Sequence, residues 1–329
     1  MISIALVKPP QAGGLVRGSG YYVDHLLTAL SRRVRVSLVE FSFLPGAYKK
    51  FDLVHFPYFD EYFFTLPPVL PKRAIVSILD CTKLKFKDHF PIGPRGKVAW
   101  SWQKNRAVKA TAVITISNSA KTDIETFFHI PAAKINVTYL AADPIFKPVK
   151  IKKESFVLYV GGVNWNKNLP TLIRACQKIK TSLILVGQEF LARDADLTHI
   201  ENQPLKEILS LIKNDPRVKI PGFVPAADLV KLYNQAKVYV QPSIYEGFGL
   251  PVLEAMSCGT PVVCGRSGSL SEIAGAGATY ADVTSVDDLA QKIATVRPTG
   301  KEIAQAKRFS WGETAKMTEA IYEKILASH

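Results

Sequence analysis

Short runs of consecutive apolar residues alternate with amphipathic stretches along the whole chain. In the first half Ile2–Val7, Val34–Glu40, Leu53–Phe56, Ala74–Leu79, Ala112–Ile116 and Lys134–Thr138 read as strands, and Tyr21–Ser31 and Lys97–Ala110 as helices. The cycle then restarts. Ser155–Val160, Ser182–Val186, Val218–Ile220, Val238–Gln241 and Pro261–Cys264 read as strands, and Leu169–Lys180 as a helix. Strands alternating with helices predict parallel sheets covered on both faces by crossover helices. From Trp311 to Leu326 the residues Ala315, Thr318, Ala320, Ile321, Ile325 and Leu326 recur at roughly helical spacing. That stretch is expected to be a closing helix that packs back onto the first half.

The two cycles are separated by Asp143-Pro144-Ile145-Phe146-Lys147-Pro148 and the lysines at 150, 152 and 153, a segment with two prolines, dense charge and no apolar period. The expected organisation is a first Rossmann-like domain over 1–148, a second over 149–310 and the terminal helix over 311–329. With 329 residues, 47% of them hydrophobic, the chain can build two cores. No apolar run approaches the roughly 20 residues that a membrane-spanning helix needs; even 58–70 is broken by Asp60, Glu61 and Pro67-Pro68. The first ten residues lack a basic lead-in and a cleavage pattern, so they read as a strand and not a signal peptide. Cys81, Cys176, Cys258 and Cys264 are scattered and form no CxxC, which suggests neither a zinc site nor disulfides and fits a cytoplasmic location.

Charge changes the picture of the first half. Residues 1–150 hold 21 Lys+Arg against 10 Asp+Glu, and residues 151–329 hold 21 against 18, so +11 of the net +14 lies in the first half. Such a field favours an anionic partner. A phosphorylated acceptor and an anionic membrane surface are both candidates, the latter because Lys83, Lys85 and Lys87 alternate with Leu84 and Phe86. Nucleic acid is not expected, since no recognised motif accompanies the charge.

The most informative segment is Gln241-Pro-Ser-Ile-Tyr-Glu-Gly-Phe-Gly-Leu-Pro-Val-Leu-Glu-Ala-Met-Ser-Cys-Gly-Thr-Pro-Val-Val263. A buried strand runs into a loop with Gly247 and Gly249, and then into a helix with Pro251 in its first turn. Free amides and the positive dipole end make such a helix start a seat for a diphosphate, with Glu246 and Glu254 flanking it. A carboxylate accepts two hydrogen bonds from a vicinal diol.

This segment resembles the signature of the retaining glycosyltransferases of family 4, two glutamates separated by seven residues. The resemblance implies an α/β chain of GT-B class, in which two doubly wound Rossmann-like domains face each other across a cleft. It implies that Glu246 contacts the transferred sugar, that Glu254 contacts the ribose, and that amides around Phe248, Gly249 and Leu250 hold the donor. Residues 159–169, with Gly161, Gly162 and Lys167, resemble the strand, loop and helix where a lysine pairs with the diphosphate. Relatives often carry arginine where this chain has Gly162, so neutralisation of the diphosphate is expected to rest on Lys167, on backbone amides or on a substitute such as Arg266. Gly222-Phe223-Val224 is similar to the loop that edges the nucleobase, and Gly18-Ser19-Gly20 to the glycine loop after the first strand. Residues 74–80 resemble a strand ending in His-Asp near the reacting centre; here Leu79 holds the histidine position, Asp80 remains, and His55 ends a neighbouring strand. Asp194-Ala195-Asp196 matches a metal-binding acidic triplet by chance only.

The implied activity is transfer of a hexose from a UDP- or GDP-linked donor to a glycan or lipid-linked acceptor, with Glu246, Asp80 and His55 as catalytic candidates and no metal or other cofactor required. The alternatives are a non-catalytic binder of nucleotide-sugar or anionic lipid, and a GT-B sugar-nucleotide epimerase.

Overall fold

The computed structural model describes residues 2–10, 17–44, 46–192 and 195–327. They fall into two compact units: residues 1–140 with 310–329, and residues 141–309.

In the first unit the elements are β1 (Ile4–Val7), α1 (Arg17–Leu30), β2 (Val36–Val39), β3 (Leu53–Phe56), β4 (Ala74–Ser77), α2 (Thr82–Lys85), α3 (Pro94–Lys109), β5 (Ala112–Thr115), α4 (Asn118–Phe128) and β6 (Ile135–Val137). The six strands form one parallel sheet in the order β2-β1-β3-β4-β5-β6. β1, β3, β4 and β5 are buried at every position, which is why they read as unbroken apolar runs and not as alternating ones.

The second unit runs through β7 (Phe156–Val160), α5 (Leu169–Lys178), β8 (Ser182–Val186), α6 (Gln203–Ile212), β9 (Val218–Gly222), α7 (Ala226–Gln235), β10 (Val238–Gln241), α8 (Leu250–Ser257), β11 (Val262–Cys264), α9 (Leu270–Ala274), β12 (Ala278–Tyr280), α10 (Val286–Thr295) and α11 (Glu302–Ala306). Its parallel sheet has the order β12-β11-β10-β7-β8-β9. Leu172, Ile173 and Cys176 of α5, Leu205 and Ile208 of α6 and Leu289 and Ile293 of α10 close over β7, β8 and β10 in one core.

The terminal helix α12 (Trp311–Ala327) belongs to the first unit. Its buried residues are Trp311, Thr314, Ala315, Thr318, Tyr322 and Ile325, which lie on one face of the helix; Ala320, expected inside, is exposed. Thr314 Oγ1 donates to the Tyr139 carbonyl at 2.6 Å, and Trp311 stacks on His25 of α1 with centroids 4.9 Å apart.

The division of the chain falls after Leu140, ahead of the expected 148. The reason is local. Asn234 of α7 accepts from the Val149 amide at 2.9 Å and donates to the Lys147 carbonyl at 3.0 Å, while Phe146 meets the Tyr233 ring edge-on, so the proline-rich segment is built into the second unit.

Candidate functional site

In the second sheet β7 lies between β8 and β10, so the chain leaves β7 in one direction and returns to its other side at β10. Loops from the C-terminal ends of such a strand pair open a crevice where ligands bind in doubly wound folds. Here those loops are sewn together. The Ile244 amide donates to Asn166 O at 2.8 Å, Asn166 Nδ2 donates to Tyr245 O at 3.0 Å, and Asn168 Nδ2 reaches Val283 O at 2.6 Å. A short 3-10 turn, Trp165–Lys167, thereby presents Lys167 to the β10 loop.

Lys167 Nζ donates to both carboxylate oxygens of Glu246, at 2.8 and 2.9 Å. Glu246 also accepts from Ser243 Oγ at 2.6 Å and from Gln241 Nε2 at 2.8 Å. Gln241 is itself held by the Tyr239 hydroxyl. Gln241 and Ser243 of β10 and its loop, with Lys167 from the turn after β7, therefore converge on one carboxylate, which fixes its orientation at the mouth of the strand. Sequence reading found Glu246 and Lys167 but not Ser243, Gln241 or Tyr239; the alternation of 239, 241 and 243 along the strand was the available signal.

The helix α8 starts immediately after. Gly249 has φ +97°, a left-handed conformation that suits glycine, and an added Cβ would stand 2.8 Å from Leu270 Cδ2. Ser269 Oγ donates to the carbonyls of Glu246 and Phe248 at 3.0 and 2.8 Å, which holds the two sides of the Gly247 turn. The Phe248 ring is buried edge-on to Phe309, so its side chain belongs to the core beneath this helix start.

Glu254, one turn into α8, is buried and accepts from the Tyr233 hydroxyl at 2.8 Å. Burial raises its carboxyl to about 7; the Tyr233 bond opposes this and Asp143 reinforces it. Around Gly161 and Gly162 the structure supplies an anion where relatives carry arginine: Glu189 Oε2 accepts from the Val163 amide at 2.9 Å, and a Cβ on Gly162 would come within 2.6 Å of that oxygen. Arg266 lies over the Tyr280 ring, 3.9 Å from its centroid, in a cavity of about 500 Å³ that Asp282 and Lys292 also line. Gly222 ends β9 with its carbonyl bonded to the Gly187 amide; Phe223 beside it is exposed and Val224 half-buried.

In the first unit several expectations are corrected. His55 is fully buried, with Nδ1 2.7 Å from Tyr322 Oη and Nε2 2.7 Å from Ser77 Oγ, which lies 3.1 Å from Tyr22 Oη. Burial pulls its pKa down to about 3, so the ring stays neutral and ties α12 to the sheet; it is not a catalytic group. Gly18 and Gly20 lie within α1, which begins at Arg17, and not in a loop. Lys83 pairs with Asp60 at 3.1 Å, Lys85 pairs with Asp123 at 2.7 Å, and Leu84 is buried, while Lys87 is exposed. Asp80 is exposed and caps the turn by accepting from the Thr82 amide at 2.9 Å. Beside it Glu61, which sequence reading did not single out, is buried, and desolvation lifts its carboxyl to about 8.

Asp194 lies outside the described residues, and Asp196 caps a surface turn by accepting from Thr198. Among the described residues no group of three His, Cys, Asp or Glu side chains is arranged to hold a metal ion, and no helix is long and apolar enough to cross a membrane.

The family model for glycosyl transferases group 1 matches residues 142–310, the unit that carries this site. The chain belongs to the group 1 glycosyl transferases. The O-antigen chain mannosyltransferase B of Escherichia coli is 31% identical over 246 residues, covering 66% of this chain and 61% of that protein. The MMP alpha-(1->4)-mannosyltransferase of Mycolicibacterium hassiacum is 26% identical, covering 68% of this chain and 57% of that protein. The matches thus span under two thirds of each relative. Among solved structures, the sucrose-phosphate synthase of Thermosynechococcus elongatus superposes with a TM-score of 0.75 at 19% identity over the full length of both chains. Anabaena Alr3699/HepE, solved in complex with UDP and glucose, gives 0.68 at 18% identity over 99% of this chain and 100% of that one. These likenesses make the fold of this group 1 glycosyl transferase the GT-B class of α/β architecture.

Proposed function

We propose that this protein is a retaining glycosyltransferase of family 4 that takes a hexose from a nucleoside diphosphate donor. The observation that carries the reading is the Lys167–Glu246 pair at the switch point of the second sheet, against the glycine-led start of α8. Mannose is the first sugar to test, because two of the similar proteins are named mannosyltransferases. The donor base is UDP or GDP; a UDP complex is known for the Anabaena protein.

In this reading the diphosphate docks on the leading amides of α8 and on Lys167, which turns from Glu246 toward the phosphates. Glu246 is then free to accept from sugar hydroxyls, while Ser243 and Gln241 keep it oriented. Glu254 accepts from the ribose. As the anomeric C–O bond breaks, negative charge grows on the leaving phosphate and meets a cation and fixed dipoles already in position. With that charge so covered the reaction calls on no metal. A carboxylate still held by Ser243 and Gln241 and accepting from sugar hydroxyls is suited to grip the substrate and not to attack carbon, so departure and attack occur on the same face and configuration is retained.

The first unit, with Asp80 exposed above β4, is assigned the glycan or lipid-linked acceptor, and the site of action is the cytoplasm. The test is release of free nucleoside diphosphate from GDP- and UDP-hexoses with and without a glycan acceptor, in buffer containing a chelator. Acceptor-dependent release with an α-linked product from an α-linked donor is expected. Release that ignores acceptor, or a product of inverted configuration, contradicts the proposal.

A further inference from the structure

The cavity of about 500 Å³ at the ends of β11 and β12 takes no part in the transfer proposed above. Its wall is built from Ile244 of the β10 loop, residues 265–267 after β11, residues 280–284 at the end of β12, and Asp288 and Lys292 of α10. Lys167, Glu246 and the 247–250 turn do not line it, so Arg266 serves a space other than the seat assigned to the diphosphate. The volume falls within the roughly 300–1,000 Å³ of small-molecule sites.

Two cations reach this cavity without an acidic partner. Among the described residues neither Arg266 nor Lys292 forms an ion pair, although Asp282 and Asp288 share the wall with them. The two acids are engaged elsewhere through one oxygen each. Asp282 Oδ1 accepts from the Thr284 amide at 2.9 Å and from Thr284 Oγ1 at 2.6 Å, and Asp288 Oδ2 accepts from the Asp282 amide at 2.7 Å. Arg266 is placed by stacking, with its guanidinium 3.9 Å from the centroid of the Tyr280 ring. Stacking fixes the plane of the guanidinium and leaves the N–H donors along its edge for an oxyanion.

The same contacts narrow the ligand. A nucleobase would need a free ring to stack on, but Tyr280, the one aromatic among the lining residues, carries Arg266, and its hydroxyl donates to Gly275 O at 2.8 Å. A bare phosphate would answer the two cations and leave two carboxylates opposing it. A phosphorylated sugar answers both, since its phosphoryl oxygens accept from Arg and Lys while its hydroxyls donate to carboxylates. We propose that this cavity binds a hexose phosphate, with the phosphoryl group on Arg266 and Lys292 and the sugar hydroxyls on Asp282 and Asp288. The site goes beyond the transfer reading and does not depend on it. Ile244 in its wall bonds through its amide to Asn166 O, so a bound ligand lies against the loop that carries Glu246.

The test is calorimetric titration of the full chain with mannose 1-phosphate and mannose 6-phosphate, with inorganic phosphate and mannose as controls. One of the two esters should bind, and phosphate and mannose should each bind about tenfold more weakly or worse, since each lacks one set of partners. Arg266→Gln and Lys292→Gln should each weaken the ester about ten- to a hundredfold, the range for a charge-assisted hydrogen bond. Lys167→Met should bind the ester as the wild type does. Melting temperatures check that each variant folds; if one does not, ester binding by the wild type in saturating GDP and in saturating UDP reads the same separation from the diphosphate seat. No binding of either ester at millimolar concentration overturns the proposal, and so does phosphate that binds as tightly as the ester. Ester binding that both cavity variants retain overturns it as well. Loss of binding in Lys167→Met, or displacement of the ester by GDP or UDP, also overturns it, because the ester would then occupy the diphosphate seat.

Discussion

Replacing Glu254 by Gln should remove a pH dependence that burial builds into the second unit. The Glu254 carboxyl titrates near 7 in the folded protein against 4.5 for an ordinary glutamate. Below pH 4.5 it is protonated in both states and costs nothing. Between 4.5 and 7 the unfolded chain gives up the proton while the folded one keeps it, so stability falls as pH rises. Above 7 the loss is complete, and a shift of that size corresponds to about 3 kcal/mol. Urea unfolding of wild type and Glu254→Gln at intervals from pH 4 to 8 measures this. Glu61, raised to about 8 by desolvation, contributes in the same direction, so the difference between the two proteins is the informative quantity. The stability of wild type relative to the variant should fall by about 3 kcal/mol across the window. If ribose hydroxyls donate to Glu254, its carboxylate form is favoured in the complex. Nucleotide binding should then release protons near pH 6, seen as buffer-dependent heats in calorimetry. A flat difference curve would refute the account, because it would mean that the carboxyl titrates like an exposed one.

Four further outcomes are expected. Glu246→Ala should abolish transfer while leaving the far-ultraviolet dichroism unchanged; turnover at the wild-type rate removes the carboxylate from the mechanism. Lys167→Met should lower kcat by about a hundred- to a thousandfold, the scale of losing one donor to a developing anion, and steady-state kinetics with saturating donor tests it. Gly249→Ala should destabilise by about 1–3 kcal/mol, since a side chain is strained at that φ and meets Leu270; thermal unfolding reads the loss. His55→Ala should cost about 2–4 kcal/mol by leaving a cavity and removing the ring's bonds to the Tyr322 and Ser77 hydroxyls. Its kcat at temperatures below the lowered midpoint should match wild type, which a catalytic histidine would not allow.

The inner strands of both sheets were legible because burial leaves them as apolar runs, whereas β12, half-buried at the sheet edge, was passed over; Glu246, Lys167 and Gly249 were legible because their order along the chain is the order of strand, loop and helix. Less could be read where contacts are distant in sequence. His55 ends a strand as a substrate-facing residue would, but Tyr322 arrives from 267 residues away to occupy its ring. Helices α4, α6, α7 and α10 were passed over in the sequence although each is amphipathic, and Ser117, Asn202, Pro225 and Ser285 mark their starts. Lys83 and Lys85 suggested an open basic surface because Asp60 and Asp123 lie 23 and 38 residues away and only folding brings them close. Glu61 gave no signal of burial, since the adjacent acids Asp60 and Glu61 in an aromatic stretch read as solvated charge.

The account rests on a diphosphate seat made by Lys167 and the start of α8, and calorimetric titration of GDP and UDP into wild type and Lys167→Met tests it most directly. One of the two nucleotides should bind the wild type and bind the variant about ten- to a hundredfold more weakly, the range for a charge-assisted hydrogen bond. Binding of equal strength to both proteins would contradict the assignment, as would the failure of either nucleotide to bind the wild type.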